Sequence, residues 1–316
     1  MSSSRPVDLS KVAVIIPTWN GERFFERFPG PLMQQGIRPD QVLVVDSESS
    51  DSTVTRAQSF GFRVHEIPRR QFNHGGTRAL ASTLVPWAEI LVYTTPDAVM
   101  ATPEALATLV RAFDDPVIGA VYGRQLPHLD ADSFARHACA FNYSDRSLVR
   151  DRETRKTLGF KAIFLSDAFA AYRRAALESV GNFPASVISH EDTYVAAKMM
   201  LSGWKTAYVA EATVHHSHNQ TLPDLFRRYF DIGVFHEREG RWLREEFGEP
   251  SGEGMRFVKS EIAWVGKEKP LLLPKVFMRT AAKFLGYKLG RHESKLSNGL
   301  KRRLCTISAY WADEAS

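Results

Sequence analysis

The stretch VAVIIPTWN, residues 12–20, decides the fold. Its first five residues are apolar and largely β-branched, and Pro17 stops the run. It reads as a short strand buried on both faces, not one with a wet side. Similar runs recur outward from it, QVLVVD at 41–46 and ILVYTT at 90–95, with 62–67 alternating like a further strand. Between them lie stretches of helical length over 22–34, over 52–60 with Asp51 as N-cap, and over 76–84. Pro103 opens a helix running to about 113, and 117–127 reads as a fifth strand. Strand and helix alternating at this spacing predict an α/β fold, a mostly parallel sheet covered on both faces. Ligands then gather beyond the carboxyl ends of the strands. Those ends are polar: Thr18-Trp19-Asn20, Asp46-Ser47 and Thr95-Pro96-Asp97.

Further along, 164–172 and 205–216 read as strands and 174–180 as a helix. His190-Glu191-Asp192 precedes an amphipathic helix that Gly203 ends. From 222 the periodicity is helical to the end, broken by GEPSGEG at 248–254, the best candidate linker. The expected division is a sheet domain over 1–220 and a helical C-terminal region over 221–316.

Of 316 residues, 44% are hydrophobic and 24% charged, which argues against disorder. Two cysteines, Cys139 and Cys305, cannot build a disulfide framework or a four-cysteine zinc site. No apolar run is long enough to span a bilayer, and MSSSRPVDLSK lacks the apolar core of a secretory signal, so a cytoplasmic protein is expected. The net charge of +5 hides an asymmetry: residues 267–303 hold eleven Lys or Arg against Glu268 and Glu293, which leaves −4 on the other 279 residues. Interleaved Leu, Phe and Tyr give this tail a basic amphipathic character. It could contact an anionic membrane surface, pack on a second copy as a homodimer, or simply be a solvated face. No nucleic-acid-binding module accompanies the basic residues, so no nucleic acid is expected as partner.

Three groups could carry chemistry. Asp97 at a strand end either caps a loop or holds a divalent ion. Glu191 and Asp192 either complement the helix dipole or supply a general base. His215, His216 and His218 crowd another strand end, and a spacing of two puts His216 and His218 on one face, which suits part of a metal site. GGTR at 75–78 is no phosphate-binding loop, and no GxGxxG follows the first strand, which argues against a dinucleotide-binding dehydrogenase.

Taken in order, PTWNG, VVDSESSDST, FNHGGTR, TTPDA, HED and AxVHHSHN resemble the family 2 glycosyltransferases of GT-A fold, most closely their bacterial rhamnosyltransferase branch. The resemblance covers roughly 11–220 and continues more loosely into FLGYKLGRHESKLSNGLKRRL at 284–304. It implies that Thr18 and Asn20 line a nucleotide pocket and that Asp46 bonds the base or ribose, with Ser47 where a second Asp often stands. Asn73, His74, Gly75 and Arg78 match the branch motif. Gly75-Gly76 would allow close backbone approach, and Arg78 would pair with a phosphate or hold a carboxylate. Asp97 takes the metal position for Mg2+ or Mn2+. Val99 replaces the second Asp of the usual Asp-x-Asp, so His216 would complete the shell with His218 in reserve; a mechanism leaning on Arg or Lys instead stays open. Asp192 matches the catalytic base, with Glu191 orienting the acceptor or the helix end.

The implied reaction is one inverting displacement. It moves rhamnose from dTDP-rhamnose to a hydroxyl of a surface polysaccharide or lipid-linked glycan, at the inner face of the plasma membrane. UDP- or GDP-sugars remain alternative donors because Ser47 alters the base contact. A nucleotidyltransferase would need a Gly-rich, lysine-bearing loop where PTWNG stands.

Overall fold

Strand β1 (Val12–Thr18) pairs in parallel with β2 (Val42–Asp46) on one side and β4 (Ile90–Thr94) on the other, and β2 pairs in parallel with β3 (Arg63–Glu66). The sheet continues through β8 (Phe169–Arg173), β6 (Ile118–Leu126), β9 (Lys205–His215) and β5 (Val99–Met100), with β7 (Leu148–Arg150) also on β9. The computed structural model describes residues 7–248 and 252–311. Among these, β1, β2, β3, β4, β6 and β9 run one way and β5, β7 and β8 the other, so most strands are parallel but the sheet is mixed.

Burial on both faces explains the unbroken apolar runs. Val12, Val14 and Ile16 pack on one side with Phe28 and Leu109, while Ala13 and Ile15 face Val85, Tyr172 and Met199 on the other. Phe230, Val234, Phe235, Leu243 and Phe247 from beyond residue 220 belong to that second cluster.

Several expected elements need correction. The helix expected over 22–34 is a 3-10 turn at Glu22–Phe24 and one helical turn at Pro29–Met33, because Pro29, Gly30 and Pro31 break the pattern. Asp51 does not cap the next helix; Ser52 holds that position, and the Asp51 carboxylate instead accepts from the amides of Thr53 at 3.0 Å and Glu22 at 3.1 Å. The strand expected from 164 begins at Phe169, after a 3-10 segment Gly159–Ile163. The candidate linker lies partly outside the described residues, at 249–251.

Beyond β9 come helices Leu222–Arg238, Gly240–Phe247, Glu253–Glu268, Leu273–Gly290 and Asn298–Leu304. Thr221 caps the first through its hydroxyl, with Asp224 reciprocating. Leu222–Arg238 and Leu273–Gly290 touch backbone to backbone. A Cβ on Gly286 would lie 2.3 Å from the carbonyl oxygen of Phe226, and one on Gly290 2.1 Å from that of Phe230. Part of the tail's positive charge is spent internally. Lys301 binds Glu293 at 2.6 Å, Arg291 binds Glu237 at 2.7 Å, and Arg279 donates to the Gln220 carbonyl at 2.8 Å. No described helix is long and apolar enough to cross a membrane.

Candidate active site

β8 positions the site. It runs antiparallel to β4, pairing Phe169 with Thr94, so its start sits at the same end of the sheet as the finish of β4. β9 ends nearby, His215 pairing with Leu126 and Val99. The loops after β4 and β9, the loop before β8 and the first turn of helix Glu191–Leu201 therefore converge. They line a cavity of about 1140 Å3 that holds His74, Arg78, Asp97, Asp167, Glu191 and Asp192.

Asp97, His216 and His218 form one cluster. The Asp97 Oδ2 atom lies 3.6 Å from His216 Nε2 and 3.7 Å from His218 Nε2, and the three ligand atoms are within 4.8 Å of one another. Burial alone would raise the Asp97 carboxyl, but the flanking imidazoles of His216 and His218 hold it well below the ordinary carboxylate range. Burial pushes His218 down to about 4, leaving its ring neutral near pH 7.

Gln125 fixes the tautomer of His216. Its Nε2 donates to Ser166 Oγ at 2.8 Å, which turns its Oε1 toward His216 Nδ1, also at 2.8 Å. Nδ1 must then carry a proton, and in the neutral tautomer this selects, Nε2 is the acceptor turned toward Asp97. Two acceptors facing each other across 3.6 Å is the arrangement a cation between them would satisfy. One carboxylate oxygen and two imidazoles suit a divalent ion. His215 turns elsewhere, its Nδ1 against the Pro127 carbonyl at 3.0 Å.

Across the cavity, three carboxylates surround one arginine. Arg78 is buried, with Nε 2.6 Å from Asp167 and Nη1 2.9 Å from Glu191. Burial would raise Glu191, yet Arg78 and then His74 keep it below the usual value. Burial, against the pull of Arg78, lifts Asp167 to about 6, with Tyr172 donating to it at 2.5 Å. Asp192 is raised well above the normal carboxylate range by burial and by the negative charges of Glu191 and Asp167. The helix starts sharply here: His190 adopts a left-handed φ of 63° and stacks on Phe235 with ring centroids 5.3 Å apart.

The other expected residues lie around this centre. Thr18 pairs with Asp46 across β1 and β2, and Ser49 binds the Asp46 carboxylate through its amide at 2.8 Å and its hydroxyl at 2.5 Å. Asn20, at a left-handed φ of 47°, accepts from the Ser50 amide at 2.8 Å. Thr18, Asn20 and Asp46 are not among the residues lining the cavity. Asn73 caps helix His74–Thr83, accepting from the Gly76 amide at 2.5 Å. Gly75 is close to backbone as expected, but to the protein's own: a Cβ there would sit 1.9 Å from the Pro184 carbonyl oxygen.

Sequence reasoning missed Asp167, Gln125 and Arg228. Asp167 stands in LSDAF, a segment with no motif signal, and Gln125 lies inside a strand. Arg228 lines the cavity, and its charge bears on His74, His190 and His218. Its position within a long amphipathic helix gave no sign of this. Trp19 stands half-exposed beside the site with the Arg69 guanidinium 3.9 Å above its ring.

Residues 13–181 match the family model described as Glycosyl transferase family 2. The chain is a family 2 glycosyltransferase. This transferase is 44% identical over 302 residues to the O-antigen chain rhamnosyltransferase RfbN of Salmonella typhimurium, covering 95% of this chain and 96% of that one. It is 41% identical over 299 residues to the O-antigen chain rhamnosyltransferase WbaN of Salmonella anatum, covering 94% and 95%. Among solved structures it resembles the mannosyltransferase PcManGT from Pyrobaculum calidifontis in complex with GDP-Man and Mn2+. The TM-score is 0.56 and the identity 21%, over 98% of this chain and 86% of that one. At that identity the likeness shows the fold, GT-A with a helical C-terminal region.

Proposed function

We propose that this glycosyltransferase moves rhamnose from dTDP-rhamnose to a hydroxyl of a surface polysaccharide or lipid-linked glycan. The names of the relatives similar over nearly the whole chain support the sugar and an O-antigen chain as acceptor. One observation carries the mechanism. A carboxylate with raised proton affinity, Asp192, opens on the same cavity as Asp97 and His218, whose third partner is His216.

Asp192 takes the proton of the acceptor hydroxyl as its oxygen attacks the anomeric carbon. Glu191 stays ionised against Arg78 and orients the acceptor from beside the base. Attack from the face opposite the leaving group gives inversion. Asp97, His216 and His218 would hold Mg2+ or Mn2+, which when bound neutralises charge on the departing nucleoside diphosphate. Arg228 adds a fixed cation on the same cavity. Thr18, Asn20 and Asp46, at the adjoining ends of β1 and β2, take the nucleoside, while His74 and Arg78 hold the inner wall and Asn73 and Gly75 shape the helix start behind them. In this division of labour residues 1–220 supply the base, the prospective metal ligands and the nucleoside contacts, and residues 221–316 add Arg228 to the cavity and meet the acceptor.

The test is a donor screen on the purified protein. Nucleoside diphosphate release is measured with dTDP-rhamnose and with UDP- and GDP-sugars, after chelation and after adding back Mg2+ or Mn2+. Faster turnover of a UDP- or GDP-sugar would replace the donor assignment, and unchanged turnover after chelation would remove the metal.

A further inference from the structure

Helix Leu273–Gly290 packs one side inside the protein and leaves an apolar stripe on the opposite side. Val276, Arg279, Gly286 and Gly290 face inward and are buried, the glycines against helix Leu222–Arg238. The outer stripe recurs at helical spacing: Phe277 is 61% exposed, Met278 55%, Phe284 58%, Leu285 54% and Leu289 37%, with Leu271 at 94% on the turn leading in. A helix meeting only water carries polar residues on its outer face, and this one carries phenylalanine and leucine.

Charge distinguishes the occupants. Lys275 and Lys288 are exposed on this helix, as are Lys269 before its leading turn and Lys267 at the end of the preceding helix, and no acidic residue occurs between Glu268 and Glu293. Glu268 itself is engaged, binding Arg136 and Ser133. An apolar stripe edged by lysines and free of acids complements a surface with a hydrocarbon interior and negative headgroups. A face made for a second copy of itself would instead meet its own lysines across the contact.

We infer that the outer face of helix Leu273–Gly290 docks this transferase on an anionic lipid bilayer, with Phe277 and Phe284 inserted and the lysines on headgroups. The helix stands beside the cavity: Arg279 donates to the carbonyl of Gln220, and Gln220 lines the cavity wall. The bilayer would therefore lie about one helix diameter, ~10 Å, from the cavity mouth. This deepens the lipid-linked acceptor reading but is tested apart from it, because vesicle binding needs neither donor nor acceptor.

The experiment is co-sedimentation of the full chain with phosphatidylglycerol/phosphatidylethanolamine vesicles and with phosphatidylcholine vesicles, over a salt series. The wild type is expected to partition at least tenfold more strongly to the anionic vesicles. F277D/F284D should lose at least tenfold of that binding with unchanged thermal melting and unchanged donor hydrolysis. K275E/K288E should lose a similar amount and most of the salt dependence. Absent or equal partitioning to the two vesicle types would overturn the inference. So would sedimentation velocity showing a dimer that F277D/F284D dissociates, since the stripe would then belong to a second copy.

Discussion

Arg78 Nη1 lies 2.9 Å from Glu191 Oε1, while Asp192, the next residue along, makes no ion pair among the described residues. Two adjacent carboxylates thus receive opposite treatment, one held ionised by contact with a cation and the other pushed toward protonation by its neighbours. Environment, not residue type, separates a fixed anion from a proton acceptor.

Arg78→Met should therefore do more than remove one hydrogen-bonding group. It strands Asp167 and Glu191 as uncompensated buried charges, a loss of about 3–5 kcal/mol. Without the arginine both carboxyls rise in pKa when folded, so the added penalty is present at high pH and fades as they protonate. Thermal melting at pH 5 and pH 8 checks this: the deficit against wild type should be larger at pH 8.

Asp192→Asn should lower kcat by about 10²–10⁴-fold while leaving donor binding intact. The base works only when ionised, and its raised pKa means the ionised fraction is lost as pH falls, well before the ordinary carboxylate value of 3.8 is reached. The acidic limb of the wild-type rate profile should sit above that value. A near-wild-type rate in the asparagine variant would move the base elsewhere.

Gln125→Leu leaves all three prospective ligands in place and removes what orients His216. Loss of such an outer partner typically weakens metal affinity by about 10–100-fold. Calorimetric titration of Mn2+ in the presence of nucleoside diphosphate reads this directly. Equal affinity in the variant would show that Gln125 does not set the tautomer.

Asp231, buried in helix Leu222–Arg238, accepts from the Thr306 amide at 3.0 Å and is pushed up to about 6 by burial. Its charged form is disfavoured in the folded state, so it costs stability above pH 6, and the cost is relieved as pH falls from 6 toward 3.8. Asp231→Asn should stabilise the protein near pH 8, by at most about 3 kcal/mol, and by little at pH 4. Melting curves at the two pH values decide it.

Gly290→Ala should cost about 1–3 kcal/mol or more, because the new methyl meets backbone that cannot rotate aside. Gly299, with nothing within 4 Å of a built Cβ, is the matched control on the next helix. Denaturant melts should separate the two; equal stability would mean that the helices part without cost.

Much of the architecture was legible because buried strands announce themselves. β1, β2 and β4 have almost no side chain facing water, so their composition alone marked them. β5 and β7, two and three residues long, carry too little pattern to be read and are created by pairing with β9. The same contrast holds at the site. Asp97 and His216 stand at strand ends where chemistry was expected. Asp167 gains its place only because β8 inserts antiparallel between β4 and β6, a topological fact with no local signature. The contact of Gly75 with Pro184 joins segments far apart in the chain, and no spacing rule could foresee it.

The glycine seam carries a mechanical meaning. At Gly286 on Phe226 and Gly290 on Phe230 the backbones of the two helices meet directly, with no side chain between them to cushion sliding. Arg227 and Arg228, on the inner helix, move with whatever holds the outer one. Anchoring at the outer face would thus set the cavity at a constant height, a ruler that selects acceptors by how far their reacting hydroxyl stands from its anchor.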